Sequence, residues 1–239
     1  TNSIKSRLIT AQSSLAAWSD FPDEEVPEVD ENELKLALSA AKSGMADLIA
    51  TADCGRILRS YDEGKTWNDD VICMEFPGNT VLCYEQRMCQ LSDGTIVTIA
   101  WNEDTATGAR MHNHIAVSTD NGKTFSQPID TGIQGQASGI LALDGTKVLT
   151  IHALRRDTDE PGIYACIADV ADGEYKLLSK EKIWAPNVPM TRNAYMAEVF
   201  AFIKFGQPGV MRLADGNILL TFWFCEEGCY KTVVVKYKL

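Results

Sequence analysis

Residues 60–67 of the chain read Ser-Tyr-Asp-Glu-Gly-Lys-Thr-Trp, and residues 118–125 read Ser-Thr-Asp-Asn-Gly-Lys-Thr-Phe. Both octapeptides fit the pattern Ser-x-Asp-x-Gly-x-Thr-aromatic. At average residue usage such a match arises by chance at on the order of one position in a million, so two copies indicate a structural repeat. The Asp oxygens can bond backbone N–H groups two residues on, the Gly supplies a positive φ and the Thr hydroxyl can close the turn. The final residue, Trp67 or Phe125, is positioned to pack beneath this turn.

A second repeat alternates with the octapeptides. Residues 91–94, 143–145 and 213–216 each combine a Leu with an Asp-Gly pair, and an apolar run follows. This is the pattern of a strand end, a hairpin turn and a second strand. A Gln precedes the Asp of each turn by seven or eight residues: Gln86, Gln136 and Gln207. The repeating unit is therefore strand, Asp-Gly turn, strand, connection, strand, octapeptide turn, strand.

Units of four antiparallel strands at a spacing of ~45–60 residues predict an all-β protein, a β-propeller built of four-stranded blades. We assign blades to residues 36–78, 80–130, 131–185 and 205–239. The last of these contains three strands and no octapeptide. We expect about four blades plus a fragment.

The whole chain, residues 1–239, is expected to form a single, partial propeller domain. Residues 1–19 would either supply the strand that the last blade lacks or end an earlier blade, and residues 186–204 are an insertion. Six blades would need ~100 further residues at the spacing of the repeat. Because an open propeller exposes sheet edges, we expect tight closure, pairing with a second copy as a homo-oligomer, or missing N-terminal blades.

The charge of the chain is concentrated in one segment. The chain contains 22 Lys and Arg against 33 Asp and Glu, which gives a net charge of −11. Eight acidic and no basic residues lie in residues 20–33, which we interpret as a solvated acidic loop. No basic patch favours a nucleic-acid or anionic-membrane partner, and no apolar run approaches the ~18 residues that span a bilayer. We expect neither partner.

The seven cysteines, an odd number scattered along the chain, do not suggest a disulfide framework. Reduced thiols favour a cytoplasmic location, while a secreted one stays open if an N-terminal leader has been removed. His112 and His114 would point the same way on a strand and, with His152, would allow a zinc site. Since no carboxylate partner is identifiable, we expect no metal and no cofactor.

The octapeptides and the Asp-Gly strands between them resemble the sialidase (neuraminidase) superfamily, whose BNR repeats carry such Asp boxes. Residues 205–223 look like the last blade of the bacterial sialidase-like group, and the resemblance covers about residues 45–239. It implies a propeller of usually six blades. It also implies three Arg for the substrate carboxylate, an Asp acid/base and a Tyr nucleophile activated by a Glu.

The resemblance carries over to individual residues only in part. Residues 84–87, Tyr-Glu-Gln-Arg, lead into an Asp-Gly strand, so Glu85 resembles the Tyr-activating Glu. Trp101 stands at the strand end that normally carries an Arg of the triad. Gln136 and the two residues after it stand where the Tyr nucleophile would precede the next Asp-Gly, and His152 stands at a strand end that often carries a Glu.

The strand ends expected to face the propeller axis form the candidate site. Glu85 and His152 are the acid/base candidates. Trp rings can stack on sugar CH faces, and Gln and Arg can bind hydroxyls, although Trp is also used in the core between blades. The candidate substrate-binding residues are Gln86, Arg87, Trp101, Gln136, Arg155, Gln207 and Trp223.

These residues predict a sialidase-like glycoside hydrolase that acts on glycans, exo-sialidase-like if active, with its pocket at the propeller axis. A non-catalytic, lectin-like propeller and an interaction scaffold are the open alternatives. The missing Tyr and triad Arg favour substrates other than sialic acid, or no catalysis.

Overall fold

Strands make up nearly all of the regular structure in the computed structural model, which describes residues 54–67, 69–136, 138–156, 158–187 and 204–238. A single short 3-10 turn, Ala171–Gly173, is the other element of these residues. The strands are β1 (Cys54–Arg59), β2 (Asp69–Glu75), β3 (Val81–Gln90), β4 (Ile96–Asp104), β5 (Ala109–Arg110), β6 (His114–Ser118), β7 (Ile129–Asp130), β8 (Ser138–Ala142), β9 (Lys147–Leu154), β10 (Gly162–Asp169), β11 (Lys176–Trp184), β12 (Phe205–Arg212), β13 (Ile218–Glu226) and β14 (Cys229–Tyr237).

The strands form four antiparallel sheets, which we call blades 1 to 4. Blade 1 contains β1 and β2; blade 2 contains β3, β4, β6 and β7 in that order, with β5 paired to β4. Blade 3 contains β8 to β11, and blade 4 contains β12 to β14. The predicted all-β propeller of antiparallel blades is confirmed. So are the assignments of blades 2 and 3 and the three strands of the last blade.

The apolar core lies between successive blades. Ile99 of blade 2 belongs to one buried cluster with Val148 of blade 3. Ile151 of blade 3 belongs to a second cluster with Phe205 and Leu220 of blade 4. Because blade 3 is covered on both sides, all residues of β9 after its first are buried, and its sequence reads as a nearly continuous apolar run.

The two octapeptide turns are closed by their Asp side chains. Asp62 Oδ1 accepts the N–H of Thr66 at 2.8 Å, and Asp62 Oδ2 accepts the Thr66 hydroxyl at 2.7 Å. Asp120 makes the same two bonds with Thr124 at 2.9 and 2.7 Å. The prediction of a Thr-closed turn is confirmed. The N–H groups bound by Asp lie three and four residues on, however, rather than two.

The aromatic residues of the two turns differ in burial. Phe125 packs against the buried side chains of Met74, Ala100 and Ala116, as predicted. Trp67 remains 56% exposed. Its indole N–H donates to the carbonyl of Gly64 at 3.0 Å, so this ring covers the turn from outside instead of packing beneath it.

Arginine side chains bind backbone carbonyls of neighbouring blades, and we call these contacts arginine–carbonyl clasps. Arg59 of blade 1 donates to the carbonyls of Asn121 and Gly122, both at 2.8 Å. These two residues lie in the octapeptide turn of blade 2. Arg212 of blade 4 donates to the carbonyl of Ala142 in blade 3 at 3.3 Å.

Several predicted segments lie outside the described residues. They are residues 1–19, the acidic residues 20–33, the first part of the predicted first blade (36–53) and most of the predicted insertion (188–203). Within the part of the chain that the structure describes, no helix has the length and apolarity needed to cross a membrane.

Candidate functional site

A β-bulge in β3 places Glu85. Tyr84 pairs with Trp101 and Arg87 pairs with Ile99, so two residues of β3 face one residue of β4. Glu85 has a φ of 47°, which lies in the left-handed region that a non-glycine residue adopts at a cost of roughly 1–3 kcal/mol. Bulges re-aim side chains, and this one turns the Glu85 side chain out of the regular alternation of β3.

The first strand of blade 4 repeats this geometry. Gly206 pairs with Trp223 and Gly209 with Thr221, which again leaves two residues opposite one. Gln207 takes the left-handed position, with a φ of 51°. Its neighbour is Pro208, and proline is tolerated in strands mainly at edges and bulges, since it lacks an N–H for the ladder.

The two bulges bring Glu85, Gln207 and Trp101 into contact. Trp101 Nε1 donates to Glu85 Oε2 at 2.8 Å, and Gln207 Nε2 donates to Glu85 Oε1. Tyr84 stacks on the Trp101 ring, with ring centroids 4.0 Å apart. Both carboxylate oxygens of Glu85 therefore have N–H donors. We call these four residues, with Arg155, the Glu85 cluster.

Arg155 follows the end of β9 and is only 9% exposed. Its Nη1 donates to the carbonyl of Phe205 at 2.8 Å, which makes it a third arginine–carbonyl clasp. Burial lowers the pKa of Arg155 to about 10, and the Glu85 carboxylate opposes that lowering. The guanidinium is therefore charged at neutral pH. Among its nitrogens, Nε is buried without a hydrogen-bond partner in the part of the chain that the structure describes.

Gln86 and Arg87 do not join the Glu85 carboxylate. Gln86 Nε2 donates to Thr98 Oγ1 at 2.7 Å and contacts Cys73 Sγ at 2.6 Å, so this amide lies between blades 1 and 2. Arg87 Nη1 donates to the carbonyls of Gln86, at 2.9 Å, and Glu85, at 3.3 Å. Its guanidinium thus stabilises the backbone of the bulge.

His152 lies inside the protein, with no exposed surface. Its Nδ1 is 3.1 Å from Ser138 Oγ, and its Nε2 is 2.8 Å from Thr150 Oγ1. Burial lowers the pKa of His152 to about 3, so the imidazole is neutral. The structure does not bring it to the Glu85 cluster, and we no longer retain it as an acid/base candidate.

The reason for this correction lies in the Asp-Gly turn of blade 3. The N–H of Leu91 bonds the carbonyl of Thr95 in blade 2, and Leu143 bonds Lys147 in the same way in blade 3. Both turns therefore span five residues. The Asp-Gly pair takes the third and fourth places in blade 2, but the second and third in blade 3.

Counting from Asp-Gly therefore shifts blade 3 by one residue. Ile96 begins β4 opposite Gln90, and Val148 occupies the same place opposite Ala142 in β9. Five residues further on, Trp101 corresponds to Ala153 and not to His152. Since neighbouring residues of a strand face opposite sides, His152 and Ala153 lie on different faces of blade 3: Ala153 packs in the cluster with Phe205 of blade 4, and His152 faces Asn113, which precedes β6 of blade 2.

No hydrogen bond joins Gln136 or Trp223 to the Glu85 carboxylate within the described ranges. The Gln136 N–H donates to the carbonyl of Ala153 at 2.9 Å. Its side chain is 7% exposed, and Nε2 has no partner among the described residues. Trp223 is partly buried, with its ring 5.6 Å from that of Tyr230.

The histidines considered for zinc have other partners. His112 Nδ1 is 3.0 Å from Asp130 Oδ1 at the surface, whereas His114 is buried against Asn102, with its Nδ1 3.1 Å from Oδ1. Over residues 54–238, leaving aside the positions that the structure does not describe, no group of three His, Cys, Asp or Glu could hold a metal ion.

Sequence reasoning missed two members of the site. Tyr84 precedes Glu85 and supports the Trp101 ring, and Gly206 makes room for Arg155. The sequence carries no signal for them, because their shared position, immediately before the left-handed residue of a bulge, is visible only in the structure. A tyrosine or a glycine does not by its residue type indicate that it belongs to a site.

Comparison with known proteins bears on the fold. No protein-family model matches the chain, and no curated protein matches it. A Dyadobacter fermentans protein of unknown function is similar at 21% identity with a TM-score of 0.54, over 77% of this chain and 46% of that one. A Penicillium chrysogenum α-L-arabinanase, solved with arabinobiose, is similar at 17% identity with a TM-score of 0.52, over 76% and 53%.

The chain thus spans about half the length of these two structures. A Ruminococcus gnavus intramolecular trans-sialidase is also similar, at 16% identity with a TM-score of 0.46, over 76% of this chain and 36% of that one. At these identities the first two likenesses establish the fold. The chain has a β-propeller fold, which it shares with these two structures.

Proposed function

We propose that this chain belongs to a carbohydrate-acting propeller in which Glu85 is the acid/base group of a glycoside hydrolase site. The observation that carries the proposal is the placement of Glu85. A carboxylate stands at a left-handed bulge between the Trp101 indole and the Gln207 amide. Non-glycine residues in this backbone region cluster at functional sites.

The arrangement suits a general base. Two N–H donors hold the Glu85 carboxylate in place, and a hydroxyl or a water that replaces one of them would stand within proton-transfer distance of the freed oxygen. Gln207 is exposed, and its amide is the donor that a ligand hydroxyl can most readily replace. The positive charge of Arg155 would favour negative charge on a reacting oxygen.

The finer assignment, a sialidase-like hydrolase, rests on the octapeptides and on the resemblance of residues 205–223 to a last blade. In that scheme a Glu activates a Tyr nucleophile. No Tyr contacts Glu85 by hydrogen bond in the described residues, so Glu85 would instead act on water or on a group supplied outside them.

The test uses the full-length protein and a panel of aryl glycosides that includes neutral sugars and a sialoside. We expect Glu85→Gln to lower hydrolysis at least tenfold. The matched control is Glu63→Gln, because Glu63 is also a glutamate at a left-handed position, with a φ of 60°, but lies exposed in an octapeptide turn. Unchanged hydrolysis in Glu85→Gln would remove Glu85 from the proposal.

One observation favours a second candidate, a non-catalytic glycan-binding propeller. Of the two predicted acid/base residues, only Glu85 remains at the site, because His152 is buried. We expect such a protein to bind a glycan array without turning over any aryl glycoside, and Trp101→Ala to abolish that binding. Turnover by the wild-type protein would exclude this candidate.

A further inference from the structure

We infer that Arg155 is a positioning residue, which holds the first residues of β12 so that Gln207 reaches Glu85. The inference deepens the proposed function. Only its test by enzymatic activity rests on that function, since the tests by melting temperature and by NMR do not require turnover. Arg155 itself contacts neither Gln207 nor Glu85 by hydrogen bond, so it acts through the backbone of Phe205 and Gly206.

The first step is the anchoring of Phe205. Arg155 Nη1 bonds its carbonyl at 2.8 Å, and the Phe205 side chain is fully buried, with its ring 5.1 Å from that of Trp184. Arg155 and Trp184 both belong to the region of blade 3. The start of β12 is therefore fixed to blade 3 by its carbonyl and by its side chain.

The second step is the absence of a side chain at Gly206. A Cβ atom built there would lie 1.9 Å from Arg155 Nη1 and 2.9 Å from Cζ. The φ of Gly206 is outside the left-handed region, so its backbone does not require glycine. Glycine is required here because a side chain at position 206 would occupy the space of the Arg155 guanidinium. Arg155 can therefore take this position only because residue 206 has no side chain.

The third step is Gln207, which follows directly. It is left-handed, and its amide reaches across from blade 4 to Glu85 in blade 2. A glutamine keeps such a backbone only where its neighbours hold it. On the preceding side the neighbours are the two residues that Arg155 fixes, and the charge of Arg155 lies within electrostatic range of Glu85.

The experiment compares Gly206→Ala, Arg155→Met and the double variant by melting temperature and by the NMR resonance of the Trp101 indole N–H, assigned with Trp101→Phe. This N–H bonds Glu85, so its resonance reports on the cluster without any need for turnover. We expect both single variants to move the resonance. In the Arg155→Met background, Gly206→Ala should cause no further fall in melting temperature, because the clash has gone.

A structural control separates positioning from general destabilisation. Arg59→Met removes another arginine–carbonyl clasp, between blades 1 and 2, and should lower the melting temperature without moving the Trp101 resonance. Arg155→Lys keeps a charged donor and should give a resonance between those of the wild type and Arg155→Met. If Arg155→Met fails to fold, the Trp101 resonances of Arg155→Lys and Gly206→Ala test the inference instead.

Additive losses of melting temperature, or an unmoved Trp101 resonance in Gly206→Ala and Arg155→Lys, would overturn the inference. If the wild-type protein hydrolyses an aryl glycoside, kcat should fall about tenfold in Gly206→Ala with a smaller change in KM. If the wild type shows no turnover, the proposed function fails, while the resonance and the melting temperatures still decide the role of Arg155.

Discussion

Glu85 and Gln207 occupy equivalent positions in blades 2 and 4, and both depart from ordinary strand geometry at the same point. Each is the left-handed residue of a bulge. Their side chains meet because the bulges turn them out of their strands. A carboxylate and an amide thus complement one another across two blades, which regular strands at the same level would not achieve.

At the residue scale, His152 predicts an acid sensitivity. Burial holds its pKa near 3 in the folded protein, below the ~6.5 of an unfolded histidine. Because the folded-state pKa is the lower one, the free energy of unfolding has its full value above pH ~6.5 and falls as the pH falls towards 3. Each pH unit in that window removes roughly 1.4 kcal/mol of unfolding free energy.

We expect His152→Gln to flatten this dependence, since glutamine can keep a hydrogen bond but does not titrate there. Urea unfolding of the wild type and variant at pH 7, 6 and 5 measures it. His114, whose pKa burial also lowers, remains in both proteins and leaves a residual slope. Equal slopes in the two proteins would contradict the assignment.

At the scale of the element, the octapeptide turns were the most predictable feature. The sequence pattern indicated a turn closed by Asp and Thr, because short polar side chains and a glycine at fixed spacing determine a turn locally. The packing of Trp67 was not predictable in this way. It depends on whether a buried cluster lies beside the turn, as the cluster of Met74 from blade 1 with Ala100 and Ala116 from blade 2 does for Phe125.

Residues of the candidate site could be predicted only in blades where the Asp-Gly pair gives the correct strand register. Glu85, Trp101 and Gln207 were all identified from their places beside an Asp-Gly turn, the first two through the family resemblance, and they meet in the structure. The same count failed for His152, because the Asp-Gly pair moves within its turn while the strand register follows the Leu before it. The space that Gly206 leaves is occupied by Arg155 from the region of blade 3, a contact between blades that a local pattern does not contain.

The octapeptide turn also gives a prediction about protons. The N–H and hydroxyl of Thr66, with the hydroxyl of Ser60, lower the pKa of Asp62 to about 2. We expect Thr66→Val, which keeps only the N–H bond from residue 66, to raise this pKa towards its ordinary value. A carboxyl NMR titration measures the change.

The sign of the effect on stability follows from the same shift. When the pKa of a carboxyl group is lower in the folded protein, the group stabilises the fold at pH values above the pKa it has in the unfolded chain. That contribution is lost as the pH falls towards 2. Thr66→Val should therefore be less stable than the wild type at neutral pH. Thr124→Val is the control, since it alters the turn of Asp120 and should leave the titration of Asp62 unchanged. An unaltered Asp62 in Thr66→Val would count against the hydrogen bond.

At the scale of the molecule, blades 2, 3 and 4 form a stack in which the apolar core lies between sheets and not within any one of them. In such arrays stability is close to a sum of blade and interface contributions. Blade 3, which takes part in both interfaces, is the element on which the described stack depends most. The Glu85 cluster has the same dependence, because it draws its members from three blades.

The arginine–carbonyl clasps have a consequence for the medium in which the protein works. Arg59, Arg155 and Arg212 each donate to an uncharged peptide oxygen of another blade. Dissolved ions screen the attraction between two opposite charges at the surface over about 8 Å at physiological ionic strength, but they have less effect on a short hydrogen bond from a guanidinium to an uncharged carbonyl oxygen. The arginine–carbonyl clasps between the blades should therefore persist at high salt concentrations that would weaken exposed ion pairs.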